Sequence, residues 1–259
     1  LLANPEADWL DLARSQDDTA ESWSDLCLRG CYPTPALELD APAERRIWFD
    51  GYVRTYLERD LQDLSAISSL PDFRRVMRAS SQRLGQLLNQ SALSRELGMS
   101  QPTVHRYLNL LETSYLLLRV PPYTVNRTKR VIKQPRFYWS DTGLALHLAG
   151  SSEPTGAHLE NLILNDLLSW RDSRHDQVEI AFWRTRTGEE VDFVVETGGR
   201  VLPIEIKATS RPTVGDTRHL RSFRRDHAEL ARHGLLIHDG DLCDWLTDDV
   251  LAVPWWRII

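Results

Sequence analysis

Residues 189–207 hold the most chemically specific side chains of the 259-residue chain: Glu-Glu-Val-Asp-Phe-Val-Val-Glu-Thr-Gly-Gly-Arg-Val-Leu-Pro-Ile-Glu-Ile-Lys. Gly198-Gly199 predicts a two-residue hairpin turn. That turn sets a register in which Asp192 stands opposite Glu205, with their Cβ atoms about 5 Å apart on one face. Lys207 lies two residues beyond Glu205 and points the same way. Pro203 signals an edge position or a bulge in the returning strand. The neighbours Val191, Phe193, Val194, Val195, Ile204 and Ile206 are apolar, so two carboxylates here cost desolvation energy unless a cation pairs with them. Lys207 is one candidate cation and would make a structural ion pair. Mg²⁺ is another, because hard divalent ions take carboxylate oxygens and keep waters. A metal held by Asp192 and Glu205 would stabilise the charge of a phosphodiester under attack, with Lys207 orienting or activating the water. Lysine is scarce: of 31 basic residues, only Lys129, Lys133 and Lys207 are not arginine.

A second constellation lies at residues 82–118. Leu93-Ser94-Arg95-Glu96-Leu97-Gly98-Met99-Ser100-Gln101-Pro102-Thr103-Val104 has the mechanics of a helix-turn-helix. Ser94 allows close approach, and Gly98 supplies the turn. Ser100 caps the second helix and Pro102 fits its first turn. Val104 and Leu108 face Leu93 and Leu97. Gln101, Thr103, His105 and Arg106 are left near the exposed start of the second helix, where such side chains read base edges in a major groove. Arg127, Lys129, Arg130 and Lys133 follow in a basic loop between two strands, which reads as a wing that contacts phosphates.

The elements that must position these groups can be read from periodicity and punctuation. Helices are expected at 43–66, 71–79, 82–89, 91–97, 101–112, 141–150, 156–170 and 214–232. Strands are expected from 115, at 136–140, 177–186, 190–196, 201–208, 234–238 and 250–256. The divisions are a connector at 1–42, a helical and winged helix-turn-helix domain at 43–150, and a mixed-sheet α/β domain at 151–259. The boundary falls in Ser151-Ser152-Glu153-Pro154-Thr155-Gly156. Asp141 is expected to cap the helix after it, and His158 to lie on the surface. Trp255 and Trp256 are expected to pack in the core or at an edge.

Charge is segregated. The net charge is −6, yet residues 72–136 hold 12 basic and 3 acidic side chains, between flanks of net −8 and −7. Such asymmetry points towards a nucleic-acid contact. No apolar run reaches the ~20 residues of a membrane span. The acidic first twenty residues exclude a secretory signal there. Cys27, Cys31 and Cys243 make no disulfide framework, and Cys27 and Cys31 lack a second ligand pair at zinc spacing. The expectation is a cytoplasmic protein with reduced thiols. HExxH and GxSxG are absent.

The pattern of Asp192, twelve residues, Glu205-x-Lys207 resembles the PD-(D/E)xK nuclease superfamily. That resemblance implies a Mg²⁺-dependent site of Glu160, Asp192, Glu205 and Lys207, with Glu160 supplied by the preceding helix. The wider chain resembles a prokaryotic family of AAA+-like ATPases with a C-terminal domain of unknown function similar to these nucleases. The residues that carry this are Trp48-Phe49-Asp50-Gly51-Tyr52, Tyr56-Leu57-Glu58-Arg59-Asp60, Tyr138-Trp139-Ser140-Asp141-Thr142-Gly143-Leu144 and Phe182-Trp183-Arg184-Thr185, with the stretches above. The resemblance implies an ATP-binding P-loop domain ahead of Leu1. No Gly-Lys dipeptide occurs in these 259 residues, so a GxxxxGK[ST] loop is not among them. Three functions remain in view: a DNA nuclease, a non-catalytic DNA-binding module of an ATPase, and a protein-interaction module. A homo-oligomer is compatible with each.

Overall fold

The computed structural model describes residues 9–14, 21–60, 67–124 and 134–258. In chain order the elements are α1 (Trp9–Arg14), α2 (Trp23–Arg29), α3 (Pro33–Leu37), α4 (Pro42–Tyr52) with a π-helical continuation Val53–Asp60, α5 (Leu70–Ser81), α6 (Gln90–Leu97), α7 (Gln101–Thr113), β1 (Leu117–Val120), β2 (Arg136–Trp139), α8 (Thr142–Ala149) and α9 (Gly156–Asp172). Then come β3 (Val178–Arg184), β4 (Glu190–Thr197), β5 (Arg200–Lys207), a 3-10 turn Val214–Thr217, α10 (Arg218–Asp226), β6 (Gly234–His238), β7 (Asp244–Thr247), β8 (Val250–Pro254) and a 3-10 turn Trp255–Arg257. Contacts divide the described chain into a helical unit (24–60, 67–119 and 134–162) and an α/β unit (9–14, 21–23, 120–124 and 163–258). No helix among the described residues is long and apolar enough to cross a membrane.

The helical unit is built on capped amphipathic helices. In α5, Phe73, Val76 and Met77 recur at three-to-four spacing and are fully buried, the signature of one core-facing stripe. Ser69 caps it by accepting from the Asp72 N–H. Asn89 caps α6 through the Ala92 N–H at 2.9 Å, and Gly98, at φ 62°, closes it in the left-handed conformation. Ser100 caps α7 through the Thr103 N–H. Val104 and Leu108 pack with Leu93 and Leu97 in one cluster. β1 and β2 form a two-stranded sheet. Asp141 caps α8, its Oδ1 accepting from the Leu144 N–H at 2.6 Å.

One expected helix is absent. Residues 82–89 form a turn and an isolated bridge instead, with Leu87 paired to Arg136. Gly85 sits at φ 70°. Its N–H donates to the Phe137 carbonyl, and Phe137 N–H returns a bond to Gln86. The backbone that an isolated helix would satisfy internally is taken up by β2. The third helix around the α6–α7 turn is α5.

The α/β unit carries a six-stranded mixed sheet in the order β3-β4-β5-β6-β8-β7. The meander β3-β4-β5 is antiparallel, while β5, β6 and β8 run parallel. Leu220 and Phe223 of α10 pack with Val194, Val201 and Leu236 of the sheet. The helix expected over 214–232 is shorter and ends at Asp226, where His227 leaves helical geometry. β7, the outer strand beside β8, is additional to the strands that the sequence predicts. Beside β3, Pro122 makes a parallel bridge to Phe182, and the Tyr123 N–H donates to the Phe182 carbonyl at 2.5 Å.

Candidate functional site

The hairpin turn forms as the glycines require, with φ 57° at Gly198 and 75° at Gly199. Two successive positive φ values are the type I′ geometry that matches strand twist. The β4–β5 ladder runs from Thr197↔Arg200 to Phe193↔Ile204 without a shift. Pro203 therefore causes no bulge, and β5 is not an edge strand. The Val201 N–H points away from β4, towards the Leu230 carbonyl. Pro203, two residues on, presents its missing N–H to that same side, where the β6 ladder starts only at Ile204.

This register gathers the trio. The Ile206 N–H donates to Asp192 Oδ2 at 2.9 Å, and Lys207 Nζ donates to Glu205 Oε1 at 2.5 Å. Asp192 and Glu205 are 8% and 3% exposed, whereas the Lys207 side chain keeps 38% of its surface. Burial works against the Lys207 charge, but Glu205, then Asp192 and Asp216, outweigh it and hold its pKa above the ordinary lysine value. Lys207 is thus a cation at neutral pH, suited to neutralise charge or orient a ligand but not to take up a proton. Among the described residues no group of three or more His, Cys, Asp or Glu side chains could hold a metal. Asp192 and Glu205 are carboxylates, the donor type that hard ions take, and one oxygen of each is already held, by the Ile206 N–H and by Lys207.

Glu160 lies in the helical unit, on the first half of α9. Its Oε1 accepts from Arg136 at 3.1 Å and from the Tyr138 hydroxyl. His158, expected on the surface, is buried: its Nδ1 accepts from the Thr155 N–H at 3.1 Å. That contact ties the ring to the first turn of α9.

Along α7, Gln101, His105 and Arg106 are exposed and Thr103 is half-buried. Thr103 Oγ1 pairs with Ser100 Oγ, His105 Nε2 with Asn109, and Arg106 Nη2 donates to Ser68 Oγ. Arg127, Lys129, Arg130 and Lys133 lie outside the described residues. Cys27 is buried, and burial pushes its thiol up to about 12, while Cys31 is exposed. The sequence reading missed a cleft of about 750 Å³ along α10, lined by Arg218, Arg221, Arg224 and Arg225 and by the carboxylates Glu189 and Asp249. Charge summed over the acidic last third concealed it; a nine-residue window, with four arginines in Arg218–Asp226, would have found it.

Residues 20–155 match a family described as a domain of unknown function (DUF8612). This chain belongs to that family. Residues 155–258 match a second domain of unknown function (DUF4143). Uncharacterised proteins of Mycobacterium tuberculosis and Mycobacterium bovis are each 32% identical over 246 residues, covering 92% of this chain and 54% of theirs. An uncharacterised protein of Haemophilus influenzae is 21% identical over 207 residues, 78% of this chain and 50% of its own. The chain thus spans about half the length of these relatives. No solved structure matches it.

Proposed function

We propose that this chain is a DNA-binding, Mg²⁺-dependent nuclease-like module of a larger ATPase. In this reading α5–α7 with β1 and β2 form a winged helix-turn-helix, and the mixed sheet is a PD-(D/E)xK core. The observation that carries it is the convergence of Asp192, Glu205 and Lys207 at one end of the β4–β5 hairpin. A bound Mg²⁺ would polarise the scissile phosphate and lower the pKa of its water. Asp192 and Glu205 would hold that ion, Asp192 being oriented by the Ile206 N–H. Lys207 would set its ammonium against the developing phosphate charge. Glu160 enters only through the resemblance; its observed partners are Arg136 and Tyr138. The rest of the relatives' length is where the ATP-binding domain would lie.

The test is cleavage of supercoiled and branched DNA with Mg²⁺ or with EDTA. Asp192→Ala and Lys207→Ala are each expected to reduce the metal-dependent rate by about 100-fold or more. Cleavage that persists in both variants would sink the nuclease reading. A second reading, a DNA-binding module without catalysis, is favoured by the burial of both carboxylates and the Lys207–Glu205 ion pair. It predicts salt-sensitive DNA binding weakened by Arg106→Ala and no heat of Mg²⁺ binding in calorimetry.

A further inference from the structure

The solvent face of α10 carries a positive row in a part of the chain that is otherwise acidic. Residues 137–259 hold 20 acidic and 13 basic side chains, yet Arg218–Asp226 holds four arginines and one aspartate. Leu220 and Phe223 turn into the sheet, while Arg218, Arg221 and Arg225 are exposed. These three stand at i, i+3 and i+7, one face of the helix. All three line the 750 Å³ cleft.

Arg224 is the anchored member: it pairs with the Asp249 carboxylate and donates to the Arg232 carbonyl. Its pKa is lowered by burial and then by the charge of Arg221, so the guanidinium groups repel one another. Arg225 reaches Ser222 Oγ at 3.1 Å and lies 3.8 Å from the Asp226 carboxylate. Among the described residues the Arg218 and Arg221 side chains make no hydrogen bond or ion pair. Stability alone would favour spreading such charges or pairing them. A polyanion in the cleft relieves the repulsion and uses the planar guanidinium fork. The scale also fits. From Arg218 to Arg225 the helix rises about 10 Å, and phosphates along one DNA strand are spaced about 3.4 Å apart along the axis.

We infer that the cleft along α10 binds the phosphodiester backbone of a nucleic acid through Arg218, Arg221 and Arg225. This rests on the nucleic-acid part of the reading above and not on its cleavage chemistry. It adds a second contact surface, in the α/β unit, to the one on α7.

The test is fluorescence anisotropy of the 259-residue chain with labelled single-stranded and duplex DNA, in EDTA so that no cleavage intervenes, from about 50 to 300 mM salt. The Arg218→Gln/Arg221→Gln/Arg225→Gln variant is expected to lose about 10-fold or more in affinity at low salt. Its slope of log K against log salt should fall by about two to three, one increment per lost phosphate contact. The matching Arg→Lys triple keeps the charge and should keep the slope. All three side chains are exposed, so an unchanged melting curve checks folding. Unchanged affinity and slope in the Gln triple, with binding abolished by Arg106→Ala, would confine DNA to α7 and overturn the inference while leaving the wider reading intact. Wild-type protein that ignores DNA but binds poly-glutamate through these arginines would overturn both.

Discussion

At the scale of single residues, the fate of two buried charges decides what the hairpin is for. Glu205 is 3% exposed and its charge is balanced by Lys207. Removing one partner of such a pair costs more than removing both, because it strands a charge in a poor solvent. Lys207→Met is expected to lower stability by about 2 kcal/mol, discounted because the ammonium is partly solvated. Glu205→Gln with Lys207→Met should recover most of that loss in urea unfolding; additive losses would deny the coupling. Asp166, on the second half of α9, behaves differently. Burial alone pushes its pKa up to about 6, and its Oδ2 is buried without a hydrogen-bond partner. The folded state therefore holds this proton to a higher pH than the unfolded chain does, and stability falls as pH rises from about 4 to about 6. Asp166→Asn should raise the melting temperature at pH 8, by the equivalent of about 3 kcal/mol, and the gain should vanish near pH 4. A gain that is constant with pH would point to packing instead.

At the scale of elements, glycines separate strain from crowding. Gly98 closes α6 at φ 62° with open space where a Cβ would go; Gly98→Ala is expected to cost about 1 kcal/mol through backbone strain alone. A Cβ on Gly143 would meet Phe49 at 2.8 Å and the Gly30 backbone nitrogen at 2.9 Å. Gly143→Ala should cost about 3 kcal/mol or more, since backbone must shift. Thermal unfolding of the two variants checks the order, and equal losses would refute it. These local rules also explain what the sequence reveals. The hairpin register, the caps at Ser100 and Asp141, and β6 at its full extent are legible because turn chemistry and alternation are local. The 82–89 segment is not, because its backbone partners, Pro135 and Phe137, lie some fifty residues away and override helix propensity. Pro203 misleads for a related reason: only the pairing of β5 with β6 shows that its missing N–H falls outside the ladder. The arginine row escapes because bulk charge averages it away, and the burial of His158 because the tertiary packing that covers the ring leaves no local signal.

At the scale of the whole molecule, chain order and spatial order disagree. The two matched families meet at residue 155, but contacts assign residues 120–124 to the α/β unit, far upstream of that point. Pro122 and Tyr123 lie along β3 and satisfy the Phe182 backbone. β3 is the outermost strand of its sheet, and an exposed outer strand invites pairing with another chain. A fragment beginning at 155 should therefore self-associate in size-exclusion chromatography, and the addition of a peptide spanning 118–125 should return it towards monomer. A fragment that stays monomeric unaided would show the cover to be dispensable. In the intact chain this short loan from the preceding family occupies part of the β3 edge, so any recombination that shuffled the downstream family alone would leave that edge bare.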